Sequence, residues 1–235
     1  MLVVARESRG LTQGQLAAAS GVPQGTISKA ENGLITVAEE KAQALADELG
    51  YTRDVLNWDA QVYGFGSSSF YHRKQQALPQ SQLKQIQATF NLARLRINLL
   101  TKGLDIDPSY SFEHFDLDDY KSAEHIARAV RAMWQVPMGP IRDMARLIEN
   151  AGGVVIRSEF YTHRISAISQ WVPGDRPIFV SNASMSADRE RFSLAHEAAH
   201  ILMHARPRET QETEADACAP ESHLPAADIR LPLRH

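Results

Sequence analysis

The residues best suited to chemistry are His196, Glu197 and His200, in the run Leu194-Ala195-His196-Glu197-Ala198-Ala199-His200. Positions i and i+4 of a helix share one face, so two imidazoles at this spacing can grip one metal ion. Glu197, between them, is then placed to serve a metal-activated water as base, which is the chemistry of hydrolysis. H-E-x-x-H also arises by chance in helices, and here the surroundings sharpen it. Phe192 and Leu194 precede the motif, Ala198 and Ala199 fill its inner positions, and Ile201, Leu202 and Met203 continue an apolar helix. A hydrolytic zinc site needs three protein ligands and one open position. The third ligand is expected from the acidic run Glu212-Thr213-Glu214-Ala215-Asp216, with Glu214 as the first choice and Glu212 as the alternative. His204, one turn beyond His200, is a candidate fourth ligand or substrate-side group. Tyr161, His163 and Arg164 are candidates for stabilising an oxyanion. Glu197 would take the proton of the water and pass it to the leaving amine. Zn2+ is the expected cofactor and a protein the expected substrate.

Positioning these side chains takes a small sheet and several helices. Gly152-Gly153 leads into a strand candidate at 154–160, and 165–172 and 177–181 are two more, with a hairpin turn at Gly174-Asp175. The motif helix spans about 187–204 and packs on this sheet, and a last helix starts near Glu209. Upstream, helices are expected over 119–136 and 140–150, and a long one over 80–102. Residues 61–78, with Gly64, Gly66 and three consecutive serines, have a linker composition. Three parts follow: 1–60, a linker with a connecting helix over 61–118, and 119–235. The fold class is α+β, mostly helical, with a zincin-like C-terminal domain.

Residues 1–60 read as five short helices. Thr12 is an N-cap before Gln13, Gly21 permits a tight turn, Pro23 opens a helix to Glu31, and Asn32-Gly33 stops it. Thr36 and Glu39 suggest a capping box for a helix to Leu49. Leu16, Val22 and Ile27 form a shared core, small Ala17 permits close crossing, and Arg6 can pair with Glu31. This is a helix-turn-helix pattern. Its second helix turns Gln24, Thr26 and Lys29 outward, where glutamine can read adenine and lysine can reach guanine or phosphate. Gln13 is placed for a phosphate contact. Five basic residues against eight acidic ones give 1–60 a net charge of −3. Weak, salt-sensitive or dimer-dependent DNA binding follows, because affinity comes largely from neutralised phosphates.

The whole chain has 235 residues, 43% hydrophobic and 23% charged, as in ordinary globular proteins. Its single cysteine, Cys218, excludes an internal disulfide framework. No apolar run approaches the roughly 18 residues that span a membrane, and no signal peptide is evident. A cytoplasmic location without membrane partners is expected.

The N-terminal pattern, over about 1–50, resembles the bacterial Xre/Cro/C1 repressor family. That resemblance places Gln13, Gln24, Gly25, Thr26 and Lys29 at positions that usually touch operator DNA in the major groove, with a homodimer as one arrangement left open. The stretch from Arg191 through His200, with Leu202, His204 and Glu212 to Ala217, is similar to the ImmA/IrrE metallo-endopeptidases. Pro177 to Asn182 and Pro140 to Val155 extend the resemblance over about 120–220. It implies His196, His200 and Glu214 as zinc ligands and Glu197 as the catalytic acid/base. The implied activity is site-specific cleavage of a transcriptional repressor that controls stress or mobile-element genes. The sequence Phe70 to Lys74 before a long helix is similar to members in which an Xre-type domain precedes the peptidase. After Ala217 the family usually continues with an aromatic residue and an apolar helix, and beyond His235 with more helix. Here stand Cys218, Pro220, Ser222 and His223. Pro220 is expected to kink or end the helix, and Cys218 and His223 are conceivable substitute ligands. The alternative function is a non-enzymatic regulator or antitoxin-like repressor with a degenerate peptidase domain.

Overall fold

The computed structural model describes the chain except residues 60, 65–77, 161, 207 and 231–235, and omits the side chains of 229 and 230. It divides into two compact units. The first comprises the described residues of 1–64 and 78–102, and the second those from 103 onward.

The first unit begins with α1 (Leu2–Ser8), α2 (Gln13–Ser20), α3 (Gln24–Glu31), α4 (Glu39–Leu49) and α5 (Arg53–Asn57). Thr12 closes a full capping box on α2. Its hydroxyl accepts from the Gln15 amide at 3.2 Å, while the Gln15 side chain accepts from the Thr12 amide at 2.9 Å. Gly21 then turns the chain at φ +71°, a conformation that costs glycine little. The turn lets Leu16, Val22 and Ile27 meet in one core with Leu2, Ala5, Leu45 and Leu49. Arg6 and Glu31 pair at 2.6 Å with both side chains nearly buried. The box expected at Thr36 does not form, because α4 starts after Ala38 with no side-chain cap.

The long helix α6 (Gln80–Thr101) belongs to this unit and packs along α1. Ala88 and Leu92 pack with Val4 and Val55. Buried Asn91 brackets the backbone of Tyr63, accepting from its amide at 3.0 Å and donating to its carbonyl at 2.8 Å. The helix read as a connector is thus a structural member of the N-terminal unit. It carries Lys84, Arg94 and Arg96 and no acid, and Lys102 follows at its end, so the unit's net charge rises from −3 over 1–60 to +1.

In the second unit, residues 103–118 are not linker. Phe112 is buried against Trp134 and Phe179, with ring centroids 5.0 and 5.8 Å away. Then come α7 (Ala123–Met133), α8 (Met144–Asn150), β1 (Val154–Ser158), β2 (Ala167–Gln170), β3 (Ile178–Asn182), α9 (Ala187–Met203), α10 (Gln211–His223) and α11 (Ala226–Arg230). The sheet order is β1-β3-β2. β1 runs parallel to β3 with Val154 opposite Ile178, and β2 runs antiparallel with Ile168 opposite Val180. A Cβ at Gly153 would stand 2.7 Å from Ile148, so glycine permits the close passage from α8 into β1. The sheet lies on α9, and α10 lies between α9 and α7. Ala195, Ala198 and Ala199 share one core with Ala215, Cys218 and Ala219. Small side chains on both helices allow the close approach that brings the acidic run to the histidines.

The helix α10 runs through Pro220 to His223 without ending there, contrary to the sequence expectation. Tertiary contacts outweigh the lost backbone donor. Arg128 pairs with Glu221 at 2.8 Å, Arg131 donates to the Ser222 carbonyl at 2.8 Å, and the Ile141 amide donates to the His223 carbonyl at 2.9 Å. No helix among the described residues is long and apolar enough to cross a membrane.

Candidate functional site

Helix α9 presents His196 and His200 on one face, as i, i+4 spacing requires, and His204 caps its C-terminal end next to His200. Nε2 of His196 and Nε2 of His200 stand 3.0 Å apart. Across from them, Glu212 on α10 places one carboxylate oxygen 3.8 Å from the first and the other 3.7 Å from the second. These three are the only His, Cys, Asp and Glu residues among those described that gather closely enough to hold an ion. Two ligand atoms about 2.0–2.1 Å from one tetrahedral ion lie roughly 3.3 Å apart, so separations of 3.0–3.8 Å suit a shared metal. The chemistry agrees. Oε1 of Glu212 is buried without a hydrogen-bond partner, which is costly for a carboxylate oxygen unless a cation meets it. The two imidazoles and this carboxylate fit zinc.

The third member is therefore Glu212, and Glu214, the first choice from sequence, is not brought to the histidine pair. Glu214 turns to the other flank of α10, accepts from Thr210 at 2.8 Å and meets Nε2 of His204 at 2.9 Å. The cause is helical phase. Residues two apart on a helix point about 200° from each other, so only one of the two can face the pair. Packing of Gln211, Ala215, Cys218 and Ala219 fixes which.

Around this group stand residues that sequence reasoning missed. Oδ1 of Asp216 lies 3.1 Å from Nδ1 of His196. A carboxylate on the far nitrogen of a ligand histidine fixes its tautomer and leaves the near nitrogen's lone pair for metal. Asp216 is one turn beyond Glu212, a spacing that would have flagged it. Ser169 on β2, fully buried, donates to Oε2 of Glu197 at 2.8 Å. Its strand reads Ala-Ile-Ser-Gln, and nothing in that sequence singles the serine out. Glu197 itself is 4% exposed, so this bond holds its carboxylate in a site shielded from bulk water.

Burial lowers the pKa of His204 from its ordinary value, and the Glu214 carboxylate opposes that shift. Burial pushes the Cys218 thiol up to about 11, and its sulfur sits 3.5 Å from the Ser222 hydroxyl. A buried, protonated thiol is a poor metal ligand, and neither Cys218 nor His223 joins the metal group. His163 and Arg164 are exposed, His163 lying 3.4 Å from the Ser184 hydroxyl. Tyr161 lies outside the described residues.

In the N-terminal unit, Gln24, Gly25 and Lys29 are exposed along α3, and Thr26 is half-buried. A Cβ at Gly25 would meet no protein atom within 4 Å, so the space glycine leaves opens outward. Gln13 is half-buried and donates to Glu31 at 2.8 Å, which ties it into the Arg6 ion pair. Lys84, Gln80 and Ser81 of α6 line the same groove as Gln13 and Gln24.

Fold and site thus define two classes of part in one chain: a helix-turn-helix unit, and a zincin-like unit whose motif helix faces an acidic partner. Comparison with protein families agrees. Residues 4–56 match the helix-turn-helix family, and residues 148–234 match the IrrE N-terminal-like domain of a peptidase family. A segment similar to Xre-type helix-turn-helix domains thus precedes one similar to the IrrE N-terminal-like domain in the same chain. No curated protein and no solved structure matches it.

Proposed function

We propose that the chain is a zinc-dependent site-specific endopeptidase that acts on a transcriptional repressor, its helix-turn-helix unit binding operator DNA where that substrate sits. The convergence of His196, His200 and the Glu212 oxygen that lacks a hydrogen bond carries the reading. His196 and His200 would hold zinc from one helix and Glu212 from the next, and the ion would supply Lewis-acid polarisation of a peptide carbonyl. Glu197 takes a proton from the attacking water and delivers it to the leaving nitrogen, and Ser169 keeps its carboxylate oriented for both transfers. On the DNA side, Gln24 and Lys29 read base edges or phosphate, Gly25 lets the backbone approach closely, and Thr26 and Gln13 fix the docking.

The test is Glu197→Gln in the full chain, with zinc content and cleavage of a co-expressed candidate repressor as readouts. Full zinc content with cleavage abolished is expected. Unchanged cleavage overturns the role of Glu197. A wild-type chain that takes up less than about half an equivalent of zinc, with no gain on adding it, leaves only a regulator with a degenerate peptidase domain.

A further inference from the structure

The two ligand histidines are backed differently. His196 has the carboxylate of Asp216 directly on its Nδ1, at 3.1 Å. Nδ1 of His200 faces not an acid but a second imidazole, Nδ1 of His204, at 2.9 Å. Nε2 of His204 in turn stands 2.9 Å from Oε2 of Glu214. His204 is fully buried at its side chain and His200 nearly so, so water does not compete for these bonds.

Two facing ring nitrogens at hydrogen-bond distance share one proton between them. A carboxylate accepts, so Nε2 of His204 carries a proton and donates to Glu214. The Nδ1 of a neutral His204 is then an acceptor. His200 must donate from its own Nδ1, and its Nε2, the atom that faces His196 and Glu212, is left with a lone pair. The opposite arrangement would place the proton on Nε2 of His200, where it would block a metal.

We propose that Glu214 and His204 are positioning residues that lock His200 in its metal-binding tautomer, an acid acting on a ligand through an intervening imidazole. This rests on the metal reading above and gives Glu214 a role it would not have as a ligand. It also explains a buried histidine and an acid that the hydrolytic step leaves unused.

The experiment measures zinc affinity of the full chain by competition with a chromophoric chelator, for the wild type, Glu214→Ala and Glu214→Gln. Glu214→Ala is expected to weaken zinc about 10–100-fold, as loss of an outer partner does. The melting temperature of the metal-free chain should fall with Glu214→Ala, which leaves the buried Nε2–H of His204 without its acceptor, so affinities are compared well below the melting temperature of every variant. Glu214→Gln, whose amide oxygen still accepts, should recover most of the affinity. With cobalt at saturation the visible spectrum of Glu214→Ala should match wild type, since the ligand set is intact. Affinity within about twofold of wild type in both variants overturns the relay, and a collapsed cobalt spectrum at saturation makes Glu214 a ligand instead. A wild-type chain that binds no zinc removes the metal reading and the relay with it, whereas zinc-binding wild type with an indifferent Glu214→Ala removes the relay alone. Nitrogen NMR of the histidine rings in the wild-type chain needs no variant. Protons at Nε2 of His204 and Nδ1 of His200 support the relay, and a proton at Nδ1 of His204 refutes it.

Discussion

In the proposed function, helices α3 and α9 carry the chemistry of the two units, and they present it in opposite ways. On α3, Gln24, Gly25 and Lys29 point to solvent, while Ile27 alone is buried. On α9, Glu197 and His200 are buried with the apolar residues around them. A reading face needs exposure, because its partner comes from outside. A metal site needs exclusion of water, so that charge stays focused and ligands stay fixed. Function and folding are therefore separable on α3 and entangled on α9. Substitutions on α3 should remove binding and spare stability, while those around α9 should touch both unless they act at its edge.

The largest effect should come from Glu212, which tests the α9 side at a residue not bound into the core. Glu212→Ala should lower zinc affinity by more than the about 10–100-fold that an outer partner costs, and therefore by more than Glu214→Ala. A competition titration of the two variants side by side decides it. The reverse order would return the third ligand to Glu214 and break the geometric assignment.

Next in size is the reading face. Gln24→Ala combined with Lys29→Ala should cost operator affinity about 1–3 kcal/mol for each side chain that reads a base. The melting temperature should stay put, since exposed substitutions usually change stability by within about 0.5 kcal/mol. Fluorescence anisotropy with labelled DNA and a thermal melt together check this. Intact affinity would reject the face, and a large fall in melting temperature would undo the contrast with α9.

The same contrast explains what could be read from the sequence. His196, Glu197 and His200 are legible because i, i+4 spacing is local and survives any tertiary arrangement. The turn at Gly21 and the box at Thr12 are legible for the same reason. The acid that joins the histidine pair is not. Gln211, Ala215, Cys218 and Ala219 mark the buried stripe of α10, and Glu212 and Glu214 sit on opposite flanks of it, roughly 80° to either side at about 100° per residue. The stripe says that α10 packs, but not which flank meets the histidines. Asp216 breaks the tie, because it shares the flank of Glu212 and a ligand site wants an outer carboxylate beside it. Pro220 misled for a different reason. A helix-breaking residue is a local cost, and the anchoring by Arg128, Arg131 and Ile141 that offsets it comes from distant sequence. The membership of α6 was hidden likewise, since its packing on α1 joins residues some eighty positions apart, such as Ser8 and Gln85.

That membership carries the smallest of the expected effects and sharpens the α3 side. Residues 1–60 alone are net −3 and should bind DNA weakly, whereas the folded unit, with α6, is net +1. Lys84 is the one cation of α6 in the groove lined by Gln13 and Gln24. A lysine that neutralises a phosphate releases counterions, so its loss should weaken binding by a similar factor on every sequence and reduce the salt slope by about 1. Lys84→Ala should therefore bind less tightly at low salt and approach wild type as salt rises. Lys41→Ala, an exposed change on α4 outside that groove, serves as the control for general charge loss. Equal slopes for Lys84→Ala and wild type would make α6 only a brace for α1. A slope change shared by both variants would assign the effect to net charge rather than to the groove.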